Sequence, residues 1–242
     1  MVINQFVTNF QTATVPQIVK RYAAKDYDNS KRLLLEMAKY SFFLMLLLAM
    51  PICFTAEQLL TLWLGVTPPF TAIFLQLIVV QSLIQTIDSS LYYAIYAKGR
   101  LRENALLSPS VLFLAFPFVY VLFKLGFSPV ALSWAAIVAY MIIGLVIKPI
   151  LVVRLVSYTW NDIFSVFIPC LKVALTSLLF PLLAFYAMDS IHFPILLDFL
   201  LMATICVLSV ALCTWYVGLS PSMRTKLVGL VKMKFRKSGN GV

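Results

Sequence analysis

Long apolar runs follow one another along almost the whole chain, with only short polar segments between them. Six of these runs approach or exceed the length of a membrane crossing, at about 39–62, 69–96, 104–125, 128–153, 163–188 and 193–219. A hydrocarbon core about 30 Å thick is crossed by about 20 apolar helical residues. Lipid offers the backbone no hydrogen-bond partner, so each run should form a helix. The sequence therefore predicts an all-α fold, a polytopic membrane helical bundle of about six transmembrane helices.

The balance of residue types excludes most soluble proteins. Of the 242 residues, 62% are hydrophobic and 12% charged, whereas a soluble domain is about half apolar and a quarter charged. We expect one transmembrane lobe at 39–219 and a basic cytoplasmic tail at 220–242. Residues 1–38 are interpreted as a partial helix followed by a basic cytoplasmic loop. The apolar part, 1–19, is too short and polar to span alone, so it is either the end of a helix begun elsewhere or an interfacial segment.

Positive charge is distributed on one side of the predicted topology. Lys and Arg residues precede the first run, follow the second and fill the tail, and Lys148 and Arg154 lie at the end of the fourth, whereas the alternate turns contain only Lys124. Cytoplasmic flanks of membrane helices carry such an excess. Both chain ends are therefore predicted to be cytoplasmic, and the basic tail could contact anionic lipid headgroups. A nucleic-acid partner is not indicated by the net charge of +10, because the basic residues lie at span ends.

Ionisable side chains inside the predicted spans are the first candidates for function. Lys172 in the fifth span and Asp88 in the second lie at similar depth, so the two could form a pair. One interpretation is a structural charge pair or a snorkelling side chain. The other is a central aqueous cavity in which Lys172 attracts an anionic substrate and Asp88 balances it or binds a coupling cation. Asp198, near the outer end of the last span, is expected to reach interfacial water without a partner.

Prolines lie inside or near the ends of the spans, and such helices should bend or break. They are common in membrane helices generally, but they are also compatible with a transporter whose helices hinge during alternating access. The residues concerned are Pro51, Pro109, Pro117, Pro149, Pro169 and Pro181.

Catalytic chemistry has little support in the sequence. The single histidine, His192, sits at a predicted helix end, and the nine acidic residues are dispersed. The four cysteines show no CxxC spacing, so they indicate neither a metal site nor a disulfide framework. No cofactor and no enzymatic activity are expected.

Two segments resemble a known family. The first, at 4–26, looks like the end of a membrane helix followed by a basic and aromatic segment outside the membrane, with the sequence NQFVTNFQTATVPQIVKRYAAKD. The stretch LLTLWLGVTPPFTAIFLQL, at 59–77, contains Trp63, Leu64, Gly65 and Pro68 in the pattern of an outer turn of that family. Both are similar to the bacterial polysaccharide transporters, the flippases for lipid-linked O-antigen and capsule repeat units. That family belongs to the superfamily that also contains multidrug exporters.

The resemblance implies a function and a set of site residues. Family members have two helical lobes around a central cavity, and this chain resembles the later lobe, so a separate chain, a second copy or a longer gene product would complete it. The implied activity is export of polyprenyl-diphosphate-linked polysaccharide units, including lipopolysaccharide precursors, across the bacterial cytoplasmic membrane. Lys172, Lys20 and Arg21 would bind the phosphates, and Asp88 would couple or balance charge. A drug exporter of the same superfamily, a membrane enzyme of envelope glycan synthesis and an inactive remnant remain alternatives.

Overall fold

The computed structural model describes residues 2–189, 194–221, 223–225 and 229, which form helices joined by short turns. The helices are α1 (Val2–Ala23), α2 (Tyr27–Phe54), α3 (Ala56–Leu64), α4 (Thr71–Lys98), α5 (Arg102–Lys124), α6 (Ala131–Met141), α7 (Lys148–Val156), α8 (Trp160–Asp189) and α9 (Ile195–Cys213). A π-helical segment, Ile142–Ile147, joins α6 to α7, and another, Thr214–Gly218, extends α9.

Among the residues that the structure describes, six continuous helices are long and apolar enough to cross a membrane, which confirms the predicted polytopic membrane bundle. They are Tyr27–Phe54, Thr71–Lys98, Arg102–Lys124, Ala131–Val156, Trp160–Met188 and Ile195–Gly218.

The first span lies earlier in the chain than predicted. Instead of one helix over 39–62, α2 begins at Tyr27 and ends at Phe54, and the short α3 follows. The residues from Tyr27 to 38 that were interpreted as a loop are therefore helical. Hydropathy misses them because charged side chains occupy one side of this part of α2, while Leu34 and Ala38 on the other side are fully buried. Helical geometry ends at Thr55, which has φ −115° and ψ 22°.

Helix α1 is part of the bundle rather than an interfacial segment. It is 22 residues long and packs against α2 and α4, with Val7 and Ile18 buried. A tight turn with Lys25 at φ 62° reverses the chain into α2, and the Ser30 hydroxyl donates to the Ile18 carbonyl over 2.9 Å. Helix α1 therefore runs antiparallel to α2, and its early residues lie along the bundle, away from that turn.

The turns divide into a basic end and an opposite end. The turns at 24–26, 99–101 and 157–159 lie at one end, and we call it the basic end. The turns at 65–70 and 125–130 lie at the other, where Lys124 is located. The basic residues in or beside the turns of the basic end are Lys20, Arg21, Lys25, Lys31, Lys98, Arg100, Arg102 and Arg154.

Helix α2 is the centre of the bundle. It packs against α1, α4, α8 and α9. Its most buried side chains recur at helical spacing and include small residues, and they are Leu34, Ala38, Ser41, Met45 and Ala49. Small side chains let helix backbones approach closely, which matters in lipid because association depends on van der Waals packing.

Helix α5 lies at the periphery. It contacts α6, the Ile142–Ile147 segment and α7, and only Val119 of its described side chains is buried. Large apolar side chains such as Phe113 and Phe116 are more than 70% exposed, at 73% and 71%. Because a membrane supplies an apolar solvent, this face suits contact with lipid chains.

The prolines act differently from one another. Helices α5 and α8 continue through Pro109, Pro117, Pro169 and Pro181, so they do not break there. Pro149 directly follows the π-helical segment and Lys148. A proline lacks the backbone N–H and its ring clashes with the carbonyl four residues earlier, so a widened turn before it relieves both problems.

Gly218 provides a test of packing at the end of α9. An added Cβ would lie 2.9 Å from two ring carbons of Phe43 and 3.0 Å from Val173 Cγ2. Both neighbours are buried. We expect Gly218→Ala to lower the free energy of unfolding by about 1–3 kcal/mol through overpacking, measured by thermal unfolding in detergent. Gly229→Ala is the matched control, because no other described residue comes within 4 Å of its Cβ position. Equal stability of the two variants would contradict the packing.

Candidate functional site

A buried ion pair joins α4 to α7. Lys148 Nζ lies 3.1 Å from Asp88 Oδ1, and the two side chains are 3% and 21% exposed. The ammonium group also donates to Asn104 Oδ1 on α5 and lies 5.4 Å from the centroid of the Tyr92 ring. We call these four residues the Asp88–Lys148 cluster. A carboxylate, an amide oxygen and an aromatic face thus surround one cation, which compensates for its loss of water.

The cluster lies inside the membrane-spanning part of the bundle. Asp88 is ten residues from the end of α4 and Lys148 eight residues from the end of α7, which places them about 15 Å and 12 Å from the basic end. Ionisable groups at such depth are rare because they are costly to insert, and they commonly mark a substrate or ion pathway.

The backbone around Lys148 explains how the side chain reaches Asp88. The π-helical segment immediately before it changes the helical register, and such segments are frequent at functional sites. Gly144 within this segment faces α4, where an added Cβ would be 3.4 Å from Asp88 Cβ and 3.5 Å from Ile84 Cγ2. The missing side chain lets the two helices approach closely beside the ion pair.

Asp88 also borders a polar cavity of about 260 Å³ between α1, α4 and α6. Amide and hydroxyl side chains dominate its lining, which comprises Asn4, Val7, Thr8, Gln11, Ser82, Gln85, Thr86, Asp88, Ser89 and Tyr140. Such groups both donate and accept hydrogen bonds, so the cavity can bind water, the hydroxyl groups of a sugar or a cation.

Gln11 fixes α1 beside this cavity. Its side chain is buried, donates to Ser90 Oγ over 2.9 Å and accepts from Ser89 Oγ over 3.2 Å. A buried amide is stable only with such partners. The sequence interpretation did not identify Gln11, because a glutamine in a short polar segment is typical of a helix at the membrane interface. The signal that could have identified it is the pair of α4 serines that hydrogen-bond its amide, Ser89 and Ser90.

The predicted pairing of Asp88 with Lys172 is wrong. Asp88 pairs with Lys148, whereas Lys172 is exposed on α8 and forms no ion pair within the described part of the chain. Helix α8 packs against α2 and α9, while α4 packs against α2, α6 and α7. Equal depth therefore did not bring the two residues together. The sequence interpretation treated Lys148 as a flanking cation, but the exposed flanking residue is Arg154.

The other predicted residues lie apart from the cluster. Lys20 and Arg21 are exposed in the last turn of α1. Gln11 lies beside Ser90, so Lys20, nine residues further along α1, lies about 13 Å nearer the basic end. They can meet a ligand at the basic end but not at Asp88.

Asp198 has a protein partner, contrary to expectation. The Gln58 amide of α3 donates to its Oδ2 over 2.9 Å. The short helix α3, most of whose residues the sequence placed at the end of one continuous span over 39–62, supplies this contact.

Metal-binding and catalytic side chains are dispersed in the described part of the chain. Within it, no three His, Cys, Asp or Glu side chains form a group that could hold a metal ion. The four cysteines are free thiols located in membrane-spanning helices. His192 and most of the predicted basic tail lie outside the described residues.

Comparison with known proteins identifies no relative: no family model, no curated protein and no solved structure matches this chain.

Removing one member of the ion pair should cost more stability than removing both. We expect Lys148→Met and Asp88→Asn each to lower the free energy of unfolding by about 3 kcal/mol or more, because each strands a buried partner. The double variant should regain most of that loss. Thermal unfolding in detergent measures all three. Lys172→Met is the matched control at an exposed site, and additive losses in the double variant would contradict a coupled pair.

Proposed function

We propose that this chain is one lobe of a membrane transporter that moves a polyprenyl-diphosphate-linked oligosaccharide across the bacterial cytoplasmic membrane. The observation that carries the proposal is the Asp88–Lys148 cluster beside a polar cavity at membrane depth. Transporters place binding and coupling groups near the middle of the bilayer between packed helices. The choice of a lipid-linked glycan comes from the resemblance of residues 4–26 and 59–77.

In this proposal the cluster couples binding to movement. The amide and hydroxyl groups of the cavity bind sugar hydroxyls, and Asp88 neutralises Lys148 while the site is empty. A proton or cation that binds Asp88, which borders the cavity, weakens the pair and frees α7 to move relative to α4. A ligand can shift such an equilibrium only through its different affinity for the two states, and the ion pair supplies that difference.

Lys172 supports the presence of a second lobe. Its side chain is exposed on α8, twelve residues from Trp160 and so about 18 Å along the helix. A lysine at this depth facing lipid would cost at least about 2.5–3.5 kcal/mol. The cost disappears if this face of α8 lines a water-filled cavity completed by a partner lobe or a second copy, where Lys172 binds phosphate as the sequence suggested.

The basic end is proposed to face the cytoplasm. The excess of Lys and Arg in its turns follows the usual charge bias of membrane proteins. Lys20 and Arg21 then meet the diphosphate of an entering substrate. The last turn of α1 lies at this end, and its first residues lie deeper in the bundle. Asn4 and Val7 are therefore beside the cavity rather than at the cytoplasmic surface.

Export of a drug-like molecule is the second candidate. The cavity beside Asp88 combines a carboxylate with Tyr140, and Lys148 is not among its lining residues. An acidic, aromatic site of this kind suits an organic cation. The two functions differ in the charge of the ligand, so transport of an anionic lipid and of an organic cation separates them.

Translocation of a polyprenyl-diphosphate oligosaccharide in vesicles tests the proposal. The chain is purified in mild detergent so that a bound partner is retained. We expect Lys172→Ala to reduce the initial rate about tenfold or more, because a charge-assisted hydrogen bond to phosphate contributes about 1.5–3 kcal/mol. The Asp88→Asn/Lys148→Met double variant should remain folded and lose transport.

Lys124→Ala is the control for this experiment, since Lys124 lies at the opposite end against the Tyr120 ring. Its transport rate should equal that of the native chain. Transport that survives in the double variant would remove the cluster from the mechanism. Absence of glycan-lipid transport together with export of an organic cation would favour the second candidate.

Labelling of single added cysteines tests the orientation. Ala24→Cys lies in an exposed turn of the basic end and Val66→Cys in an exposed turn of the opposite end. In spheroplasts we expect a membrane-impermeant maleimide to label Val66→Cys directly and Ala24→Cys only after permeabilisation. The native chain, whose cysteines lie in spans, is the blank. The reverse pattern would invert the proposed orientation.

A further inference from the structure

A cavity of about 380 Å³ opens at the basic end of the bundle. It lies between the turn from α1 to α2, the last residue of α4 and the turn from α7 to α8. Tyr22, Tyr27 and Tyr158 form its aromatic walls, and we call it the tyrosine cavity. Its volume lies within the range of small-molecule binding sites, about 300–1,000 Å³.

Tyr158 gives this cavity an unused hydrogen-bond donor. The residue is 8% exposed, and its hydroxyl forms no hydrogen bond with any described residue. A buried hydroxyl normally has a partner. Burial raises the pKa of the Tyr158 hydroxyl, so the group stays protonated and can donate. The donor is therefore available to a ligand in the cavity.

The backbone beside Tyr158 is unusual. Ser157, which also lines the cavity, has φ 65° and ψ 31°, in the left-handed region that residues other than glycine seldom adopt. Such conformations persist where the surrounding structure fixes them, and they cluster at ligand sites. Tyr158 directly follows, so this turn sets the position of its ring.

The tyrosine cavity has one free charge of each sign. Lys31 is already paired, since its Nζ lies 3.2 Å from Asp162 Oδ2 and 5.9 Å from the centroid of the Tyr158 ring. Asp28 and Lys98 line the same cavity, and neither side chain forms an ion pair or a hydrogen bond within the described part of the chain. A simple anion would be repelled by Asp28, and a simple cation by Lys98. The two free charges therefore suit a ligand that carries both an ammonium group and an anionic group.

The aromatic walls suit the ammonium group. The rings of Tyr22 and Tyr27 lie edge to face, with their centroids 5.0 Å apart. Aromatic faces attract ammonium groups, as the position of Lys31 over Tyr158 already illustrates. Asp28 follows Tyr27 directly and lines the same space, so one ammonium can meet both the carboxylate and an aromatic ring.

The lengths of the helices place the cavity at the level of lipid headgroups. Helices α2 and α4 each contain 28 residues, which is about 42 Å at helical rise. A bilayer with its headgroup regions is about 40–45 Å thick. Tyr27 and Asp28 begin α2, and Lys98 ends α4, so these side chains lie beside the headgroups of the leaflet at the basic end.

We propose that the tyrosine cavity binds the phosphoethanolamine headgroup of a phospholipid in this leaflet. Lys98 and the Tyr158 hydroxyl donate to the phosphate, and Asp28 accepts from the ammonium group, which lies against Tyr22 and Tyr27. A primary ammonium has N–H groups to donate to a carboxylate, which a trimethylammonium group lacks.

This site is separate from the polar cavity beside Asp88, with which it shares no lining residue. It does not depend on the proposed function, because its ligand is a lipid of the surrounding membrane rather than a transported molecule. A bound headgroup would connect the two turns to the end of α4.

Native mass spectrometry of the full chain in mild detergent tests the proposal. Phosphatidylethanolamine and phosphatidylglycerol with identical acyl chains are added separately, and the affinity of each is measured. We expect Asp28→Asn to weaken binding of phosphatidylethanolamine about tenfold and to leave phosphatidylglycerol unchanged, because only the former has an ammonium group. Tyr158→Phe should weaken phosphatidylethanolamine several-fold while it keeps the ring beside Lys31.

Glu103→Gln is the matched control for Asp28→Asn. Glu103 is an acidic residue in the first turn of α5, also at the basic end, and it does not line the cavity. Its variant should bind both lipids as the native chain does.

Three results would overturn the proposal. Native affinity for phosphatidylethanolamine in both Asp28→Asn and Tyr158→Phe would place the headgroup elsewhere. Equal losses for the two lipids in Asp28→Asn would show that Asp28 acts on the fold rather than on an ammonium group. Displacement of the lipid by an equal concentration of soluble glycerophosphoethanolamine would assign the cavity to a soluble zwitterion instead of a membrane lipid.

Discussion

The close packing of α2 with four other helices is the interaction on which the rest of the structure depends. In lipid, apolar side chains gain nothing by leaving the solvent, so the fit of small and large side chains must hold the helices together. Leu34, Ala38, Ser41, Met45 and Ala49 form the contact stripe. Helices α1, α4, α8 and α9 take their positions from it, and two concave sites follow: the polar cavity between α1 and α4, and an apolar groove between α1, α2 and α9.

The Asp88–Lys148 pair restricts the geometry of the helices around it because both side chains are largely buried. In a low-dielectric interior the two charges attract strongly, but removing either from water is costly, so the pair tolerates little change in geometry. Asn104 and Tyr92 add contacts from α5 and α4. The cluster thereby links three helices through one cation, including α5, which has little buried surface of its own.

The sequence predicted the features that depend on hydropathy and on the length of the apolar runs, which are the number and positions of most spans. Five of the six spans lie close to their predicted positions, and Asp88 was identified as an intramembrane group. The first span was misplaced because its buried face is narrow and its other face polar, so average hydropathy underestimates it. Lys148 was overlooked because depth along a helix can be read from sequence, whereas the direction of a side chain depends on register. The π-helical segment before Lys148 changes that register, and the apolar residues within it carry no signal of the change.

The same segment has a mechanical consequence. A π-helical turn contains one residue more than the α-helical turn it replaces. If Ile142–Ile147 adopted α-helical geometry, everything beyond it would rotate by about 100° and advance by about 1.5 Å relative to α6. The Lys148 ammonium would then leave Asp88, and Pro149 would be forced against a normal turn. The extra residue of this segment therefore sets the register of the span, and the Asp88–Lys148 ion pair belongs to that register alone.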